Sequence, residues 1–352
     1  MKPSKALELM QYVLRGGNSP FLLGGTGVGK SAVVRELANR LADGAEVVVD
    51  EINPSENQFG FIDFRLSLYE SVDLGGLPYI KDVDETCVQG RAFLGNLPIG
   101  GRGLLFFDEY AQAHGSVQAI VGQLVYENRL GEYSSPEGWH IVCAGNRASD
   151  RAGSNKLPSH VVGRTSVIDF EHDTNDWLTW ASENDVHMQV TGFISREPHM
   201  LNVFDPKVTT PQASPRAWTR LSDTLKTNPD ISLWQEIAKC DVGETAAIEF
   251  CTFVSLSDQV PDLEAIVRGD DVEVPDNVGI LYATIVALVT VIREASDLKL
   301  VEYFENALDY VSRFQTPEYA IFFVRSLVGA KPELKETSAY SKFKVDNQDL
   351  TI

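Results

Sequence analysis

The stretch Gly24-Gly25-Thr26-Gly27-Val28-Gly29-Lys30-Ser31 fits G-x-x-x-x-G-K-[ST] without a mismatch, and it stands between two segments of different periodicity. Before it, Pro20-Phe21-Leu22-Leu23 is a short apolar run suited to a buried strand. After it, Ala32 to Leu41 places Val33, Val34, Leu37, Ala38 and Leu41 on one helical face, with Glu36 and Arg40 spaced i,i+4 on the other. Strand, glycine-rich loop and helix in this order make a phosphate-binding loop whose anion sits at a helix N-terminus. Glycines let successive backbone N–H groups turn inward, where a side chain would block approach or forbid positive φ. On this reading Gly25, Thr26, Gly27, Val28 and Gly29 cradle the phosphates. Lys30 supplies a cation for the β and γ phosphates, and Ser31 supplies an oxygen for Mg²⁺.

The chain has 352 residues, enough for two domains with separate cores, and its 43% apolar and 23% charged residues are ordinary for a folded protein. Its formal charge of −20 is not ordinary. A field of that sign repels phosphate backbones, and no basic patch offsets it, so nucleic acid is not an expected partner. Cys87, Cys143, Cys240 and Cys251 form neither C-x-x-C nor a Cys/His metal pattern and read as buried free thiols of a reducing compartment. No signal peptide is evident at the N-terminus, and Val278 to Ile292 is too short an apolar run for a bilayer needing ~20 residues. The expectation is a cytoplasmic protein without a membrane span.

Ser4 is placed to cap a first helix carrying Ala6, Leu7, Leu9, Met10, Val13 and Leu14, which Gly16-Gly17 ends. Two strand candidates then compete for one slot: Ala45 to Asp50 and Phe61 to Leu66. Gly75 to Gly103, rich in Gly and Pro, predicts loops or a short hairpin. Leu104-Leu105-Phe106-Phe107 is a continuous apolar run, as expected of a central parallel strand covered on both faces. Val117 to Val125 predicts an amphipathic helix, while Trp139 to Ala144 and Thr165 to Phe170 predict two further strands. Alternating strands and helices give an α/β fold with a parallel sheet over residues 1–171. Helical periodicity dominates from 172 to 330, so an all-α part follows. The polar tail, 331–352, is expected to be poorly ordered.

The apolar strand ends in Asp108-Glu109, about 80 residues after the loop. Asp108 is placed to hold the Mg²⁺ shell, and Glu109 to orient or polarise an attacking water. Asn146, in Ala144-Gly145-Asn146, is placed to hold that water or the γ-phosphate, though Asn also starts turns for local reasons. His114, His140, His160, His172, His187 and His199 have no metal-site spacing, so no metal beyond Mg²⁺ is expected.

With these residues in view the chain resembles the AAA+ ATPases. Gly24 to Ser31 stands as Walker A, Leu104 to Glu109 as Walker B, Asn146 as sensor 1, and Arg216 in Ala213-Ser214-Pro215-Arg216-Ala217-Trp218 as sensor 2. It looks most like the MoxR (AAA_5, dynein-related) branch, which carries a Ser-Pro-Arg-Ala segment and an Asp-Leu-Gly stretch after the second strand, here Asp73-Leu74-Gly75. That stretch assigns Phe61 to Leu66 to the second strand and leaves Ala45 to Asp50 as an extra hairpin arm. The resemblance runs from Ser4 to Leu225 and more loosely to Val328. The loop lacks the Pro-containing form frequent in the branch, and about 15 residues between Ala45 and Gly60 look inserted. Both put the exact subfamily in question.

The resemblance implies a three-layer αβα domain with a five-stranded parallel sheet and an all-α lid, ATP and Mg²⁺ as ligands, and a homo-oligomeric ring, usually a hexamer. An arginine finger from a neighbour would complete each site. Arg147, Arg151 and Arg164 precede the last strand; the family position selects Arg164, with Arg151 next. Tyr79 and Ile80 fall where many such rings place a pore loop. The implied function is ATP-driven remodelling of a protein partner, in this branch often one with a von Willebrand factor A domain. The alternatives are a nucleic-acid-linked motor or GTPase of the same superfamily, and a nucleotide-gated scaffold with little turnover.

Overall fold

The computed structural model describes residues 1–76, 78–81, 86–89, 96–131, 133–147 and 159–347. The chain divides into two compact units, Met1–His172 and Asp173–Ile352.

In the first unit, helix α1 (Pro3–Arg15) leads into β1 (Pro20–Gly24), the glycine-rich loop and α2 (Lys30–Ala42). Pro3 occupies the first helical turn, so α1 begins just before the expected Ser4 cap, where a missing N–H is harmless. Strands β2 (Glu46–Val49) and β3 (Gln58–Arg65) follow, then α3 (Ser71–Gly75). A hairpin of β4 (Pro78–Lys81) and β5 (Thr86–Gln89) precedes β6 (Gly103–Asp108) and α4 (Gly115–Glu127). A second small hairpin, β7 (Arg129–Leu130) with β8 (Tyr133–Ser134), leads to β9 (Trp139–Gly145), α5 (Ser159–Val162) and β10 (Ser166–Phe170).

The main sheet is parallel throughout, in the order β10-β1-β9-β6-β3-β2. It has six strands, one more than expected. Both candidates for the second slot are strands: Phe61 lies in β3, inside the sheet, and Val47 to Val49 form a parallel edge beside it, with Val47 paired to Phe59. The β-branched run extends the sheet instead of folding back as a hairpin arm.

Alternation along the strands sorts the side chains into two layers. Phe59, Phe61, Leu104, Phe106, Val142 and Ile168 meet α1 and α2 on one face. Ile62, Phe64, Leu105, Phe107, Ile141 and Cys143 meet α4 on the other. This is the three-layer α/β arrangement expected of an AAA+ domain, and burial on both faces accounts for the unbroken apolar runs of β6 and β9. Cys143 is buried, but Cys240 is exposed and Cys251 half-buried, so the expectation of buried thiols fails for these two. The side chain of Cys87 lies outside the described residues.

The second unit contains helices alone among its described residues. They are α6 (Thr174–Glu183), α7 (Met188–Arg196), α8 (Pro215–Leu225), α9 (Trp234–Val242), α10 (Glu244–Ser255), α11 (Leu263–Arg268), α12 (Val278–Arg293), α13 (Asp297–Ser312), α14 (Pro317–Ala330) and α15 (Ser338–Asp346). Trp218, fully buried, sits against Phe193 and Phe250, and its indole N–H donates to the Met200 carbonyl at 2.8 Å. The tail departs from expectation: α15 and the turn before it bury Phe343 and Leu334 against the helical core. Ala339 and Tyr340, partly buried, pack against the same core. No helix among the described residues is long and apolar enough to cross a membrane.

Candidate functional site

Parallel strands that share a direction bring their C-terminal ends, and the loops leaving them, to one edge of the sheet. β1 delivers the glycine-rich loop there, β6 delivers Asp108 and β9 delivers Asn146. Because β9 lies between β1 and β6, Asn146 emerges between the loop and Asp108.

Gly27 and Gly29 adopt φ of 74° and 102°, in the region that an L side chain resists. α2 begins at Lys30, so its free N–H groups face the loop. The Lys30 side chain is buried, 8% exposed, and its ammonium donates to the carbonyls of Gly24 at 2.9 Å and Gly25 at 2.7 Å and to Asn146 Oδ1 at 2.7 Å. These three oxygens hold the cation against the loop by charge-assisted hydrogen bonds.

Ser31 Oγ donates to Asp108 Oδ2 at 2.7 Å, bridging the first turn of α2 to the end of β6. A hydroxyl and a carboxylate are hard oxygen donors of the kind Mg²⁺ takes when it keeps several waters. The residues present therefore fit that ion. The other Asp108 oxygen accepts from the Glu109 N–H at 2.8 Å. That contact pins Glu109 in a left-handed backbone, φ 57° and ψ 28°, as the chain turns out of the sheet. Gly145 is needed beside this turn, since a Cβ there would lie 2.9 Å from the Ala111 Cβ. Its absence lets the ends of β6 and β9 approach.

Three further residues contact or face the residues singled out from the sequence. Ser67 Oγ donates to Glu109 Oε2, so the carboxylate is held from the turn after β3. Asp63 lies on the α2 face of β3, beside β6. It pairs with Arg35 of α2 at 3.6 Å, yet its buried Oδ1 has no hydrogen-bond partner among the described residues. Burial raises its pKa, and the nearby Asp108 charge raises it further, against the lowering effect of Arg65 and Arg35. Tyr126 of α4 lies under the Arg164 guanidinium, 4.4 Å from ring centre to Cζ. The rule that sites gather at strand C-termini would have pointed to Ser67; nothing local marks Asp63 or Tyr126.

The arginines divide. Arg147 is tied to Asp169 at 2.5 Å, Glu171 at 3.4 Å and the Phe170 carbonyl at 3.2 Å. Its charge is spent within its own sheet. Arg151 lies outside the described residues, as do the side chains of Tyr79 and Ile80. Arg164 is exposed and stands before β10, at the sheet edge opposite the loop. In the second unit Ser214 caps α8 through the Ala217 N–H at 3.2 Å, with Pro215 in the first turn. Arg216 is exposed on that turn and has no ion pair among the described residues, whereas Arg220 is paired with Asp241. Among the described residues no group of three or more His, Cys, Asp or Glu is placed to hold a metal ion.

No protein-family model matches the chain, and no curated protein matches it. Among solved structures it is similar to Thermotoga maritima RuvB, described as a Holliday junction branch migration motor. The identity is 16%, covering 90% of this chain and 89% of that one, with a TM-score of 0.36. It is also similar to a candidate ATPase from Cytophaga hutchinsonii, at 12% identity, 99% and 93% coverage and a TM-score of 0.30. Likeness at this level bears on neither activity nor partner, and the functional reading rests on the site.

Proposed function

We propose that this chain is a Mg²⁺-dependent ATPase of the AAA+ class, nearest to the MoxR-like branch, that works as a cytoplasmic homo-oligomeric ring and remodels a protein partner. The observation that carries the reading is the Ser31–Asp108 hydrogen bond of 2.7 Å, with Glu109 next in the chain and Lys30 bound to Asn146 beside it. One element binds phosphate, the second holds an acid, and the third fixes a polar amide between them.

Ser31 and Asp108 would hold Mg²⁺, which supplies charge neutralisation for the β and γ phosphates. The loop N–H groups and Lys30 bind the phosphate chain, and Asn146 orients the γ-phosphate or the water in line with it. Glu109 accepts the proton of the attacking water as the new oxygen–phosphorus bond forms and the β,γ-bridging bond breaks. Arg164 contributes to the site of a neighbouring copy, since its own loop lies at the other edge of the sheet; Arg216, exposed in the first turn of α8, takes the sensor 2 role that the resemblance gives it. Ring size is taken as six. A protein client, such as one bearing a von Willebrand factor A domain, suits the −20 charge better than nucleic acid does.

Phosphate release measured with ATP and GTP, with and without Mg²⁺ and duplex DNA, tests this. The expected result is Mg²⁺-dependent ATP turnover that DNA does not stimulate and that Glu109→Gln abolishes. GTP preference or strong DNA stimulation at physiological salt favours the nucleic-acid-linked motor, and turnover unchanged in Glu109→Gln favours the gated scaffold. Affinity capture on Glu109→Gln with ATP identifies the client.

A further inference from the structure

Arg164 makes the shortest cation–aromatic contact among the described residues, on a strongly acidic protein. The chain carries 50 carboxylates against 30 basic side chains, yet exposed Arg164 makes no ion pair among the described residues. Three arginines of the same unit do, Arg35 with Asp63, Arg40 with Glu36 and Arg147 with Asp169, while exposed Arg15 lies over Tyr12 at the looser distance of 5.7 Å. What Arg164 has instead is the face of Tyr126, 4.4 Å away. Tyr126 lies in the last turn of α4 and is 56% exposed, so its ring is not there to fill the core. The backbone beneath Arg164 is fixed as well, its N–H donating to the Val161 carbonyl at 3.1 Å, and Thr165 Oγ1 to the same oxygen at 2.9 Å.

Two features of this contact matter chemically. A carboxylate partner would neutralise the guanidinium and occupy its N–H fork, whereas an aromatic face restrains the plane while leaving charge and donors unspent. Position matters equally. Pro20, at the start of β1, pairs with Ser166, and the phosphate loop leaves the far end of β1, a five-residue strand of roughly 3.3 Å per residue. A cation at this edge does not serve its own loop.

We propose that Tyr126 is a positioning residue for Arg164: the ring holds the guanidinium outward, unpaired, for a triphosphate bound by a second copy of this chain. The inference rests on the shared-site reading given above and adds the residue that aims the finger. A surface cation–π contact predicts that Tyr126→Ala lowers kcat about two- to fivefold, while nucleotide Kd and oligomeric state stay as in the unmodified protein.

The test measures kcat, Mg·ATP Kd and oligomeric state for Tyr126→Ala, Tyr126→Phe, Arg164→Ala and the double variant Tyr126→Ala/Arg164→Ala. The expected pattern is a reduced kcat in Tyr126→Ala, recovery in Tyr126→Phe, which keeps the ring, and no further loss when Tyr126→Ala is added to Arg164→Ala. A rate in Tyr126→Ala equal to or above the unmodified rate overturns the proposal. So does an equal fractional loss in the Arg164→Ala background, because the ring would then act through something else. If Arg164→Ala itself turns over normally, the finger assignment fails first, and that variant alone reveals it.

Discussion

Glu109 carries a conflict between fold and chemistry that can be measured. Its backbone is left-handed, φ 57° and ψ 28°, which strains a residue other than glycine by about 1 to 2 kcal/mol. Asparagine tolerates this region far better, without the added unfolded-state freedom of glycine. Glu109→Asn therefore relieves roughly 1 kcal/mol of strain. Against this stands the contact with Ser67, an exposed residue, whose loss costs a few tenths of a kcal/mol or so, below the ~1 kcal/mol usual for a protein hydrogen bond. The net is a gain of about 0.5 to 1 kcal/mol, which for a unit of this size raises the melting midpoint by about 1 to 4 °C.

Glu109→Gln is the control, since it keeps a strained side chain of the same length and removes the base. Differential scanning calorimetry in the absence of nucleotide should show Glu109→Asn melting above the unmodified chain and Glu109→Gln melting with it. Both variants should lose ~10²- to 10⁴-fold in hydrolysis, the usual contribution of a general base. A lower melting point for Glu109→Asn would refute the strain argument. Undiminished hydrolysis in either variant would refute the role given to the carboxylate.

Three other outcomes follow from particular contacts. Asn146→Ala removes one of the three oxygens around the buried Lys30 ammonium; a hydrogen bond to a charged group contributes about 1.5 to 3 kcal/mol, so urea unfolding should show a loss near the lower figure together with reduced hydrolysis. Burial lowers the pKa of His140, and that of His187 in the second unit, below the ordinary 6.5. Above 6.5 the rings are neutral in both folded and unfolded chains, and as pH falls the unfolded chain takes up protons first, so stability is lost below 6.5 toward the folded values. Denaturant midpoints at about pH 7.5 and about pH 5.5 should show that fall, and His140→Gln should lessen it. Phe343→Ala should destabilise the helical unit by about 3 kcal/mol, as for other buried aromatics; an unchanged midpoint would mean that α15 is not docked.

The parts of the fold that were legible in the sequence are those fixed by local pattern. The order strand, glycine loop, helix needed only residues 20 to 41, and the apolar runs of β6 and β9 announced strands buried on both faces. β2 was misjudged because a β-branched run gives no sign of whether it pairs at a sheet edge or folds back as a hairpin; that choice is made by β3, which offers it a parallel partner. The tail was misjudged for the opposite reason. Its polar average concealed Leu334, Ala339, Tyr340 and Phe343, and docking depends on where a few apolar side chains fall rather than on mean composition.

The same division runs through the site. That Lys30, Ser31, Asp108, Glu109 and Asn146 come together was readable because each sits where a recognisable strand or loop ends. Ser67, Asp63 and Tyr126 were not, since each meets or faces a partner distant in sequence: Glu109, Asp108 and Arg164 respectively. A serine, an aspartate and a tyrosine have many uses, and only strand order and helix packing select one. Asp63 shows how much that selection matters. On the sequence it is one of many carboxylates in an acidic chain; in the fold it carries a buried oxygen without a hydrogen bond among the described residues, feels the Asp108 charge and pairs with Arg35 at 3.6 Å. Removing that charge while keeping the shape, as in Asp63→Asn, should stabilise the metal-free fold at neutral pH. The sign follows because a carboxyl whose pKa is raised on folding loses stability as pH rises through its ordinary and then its folded value, and the amide escapes that loss.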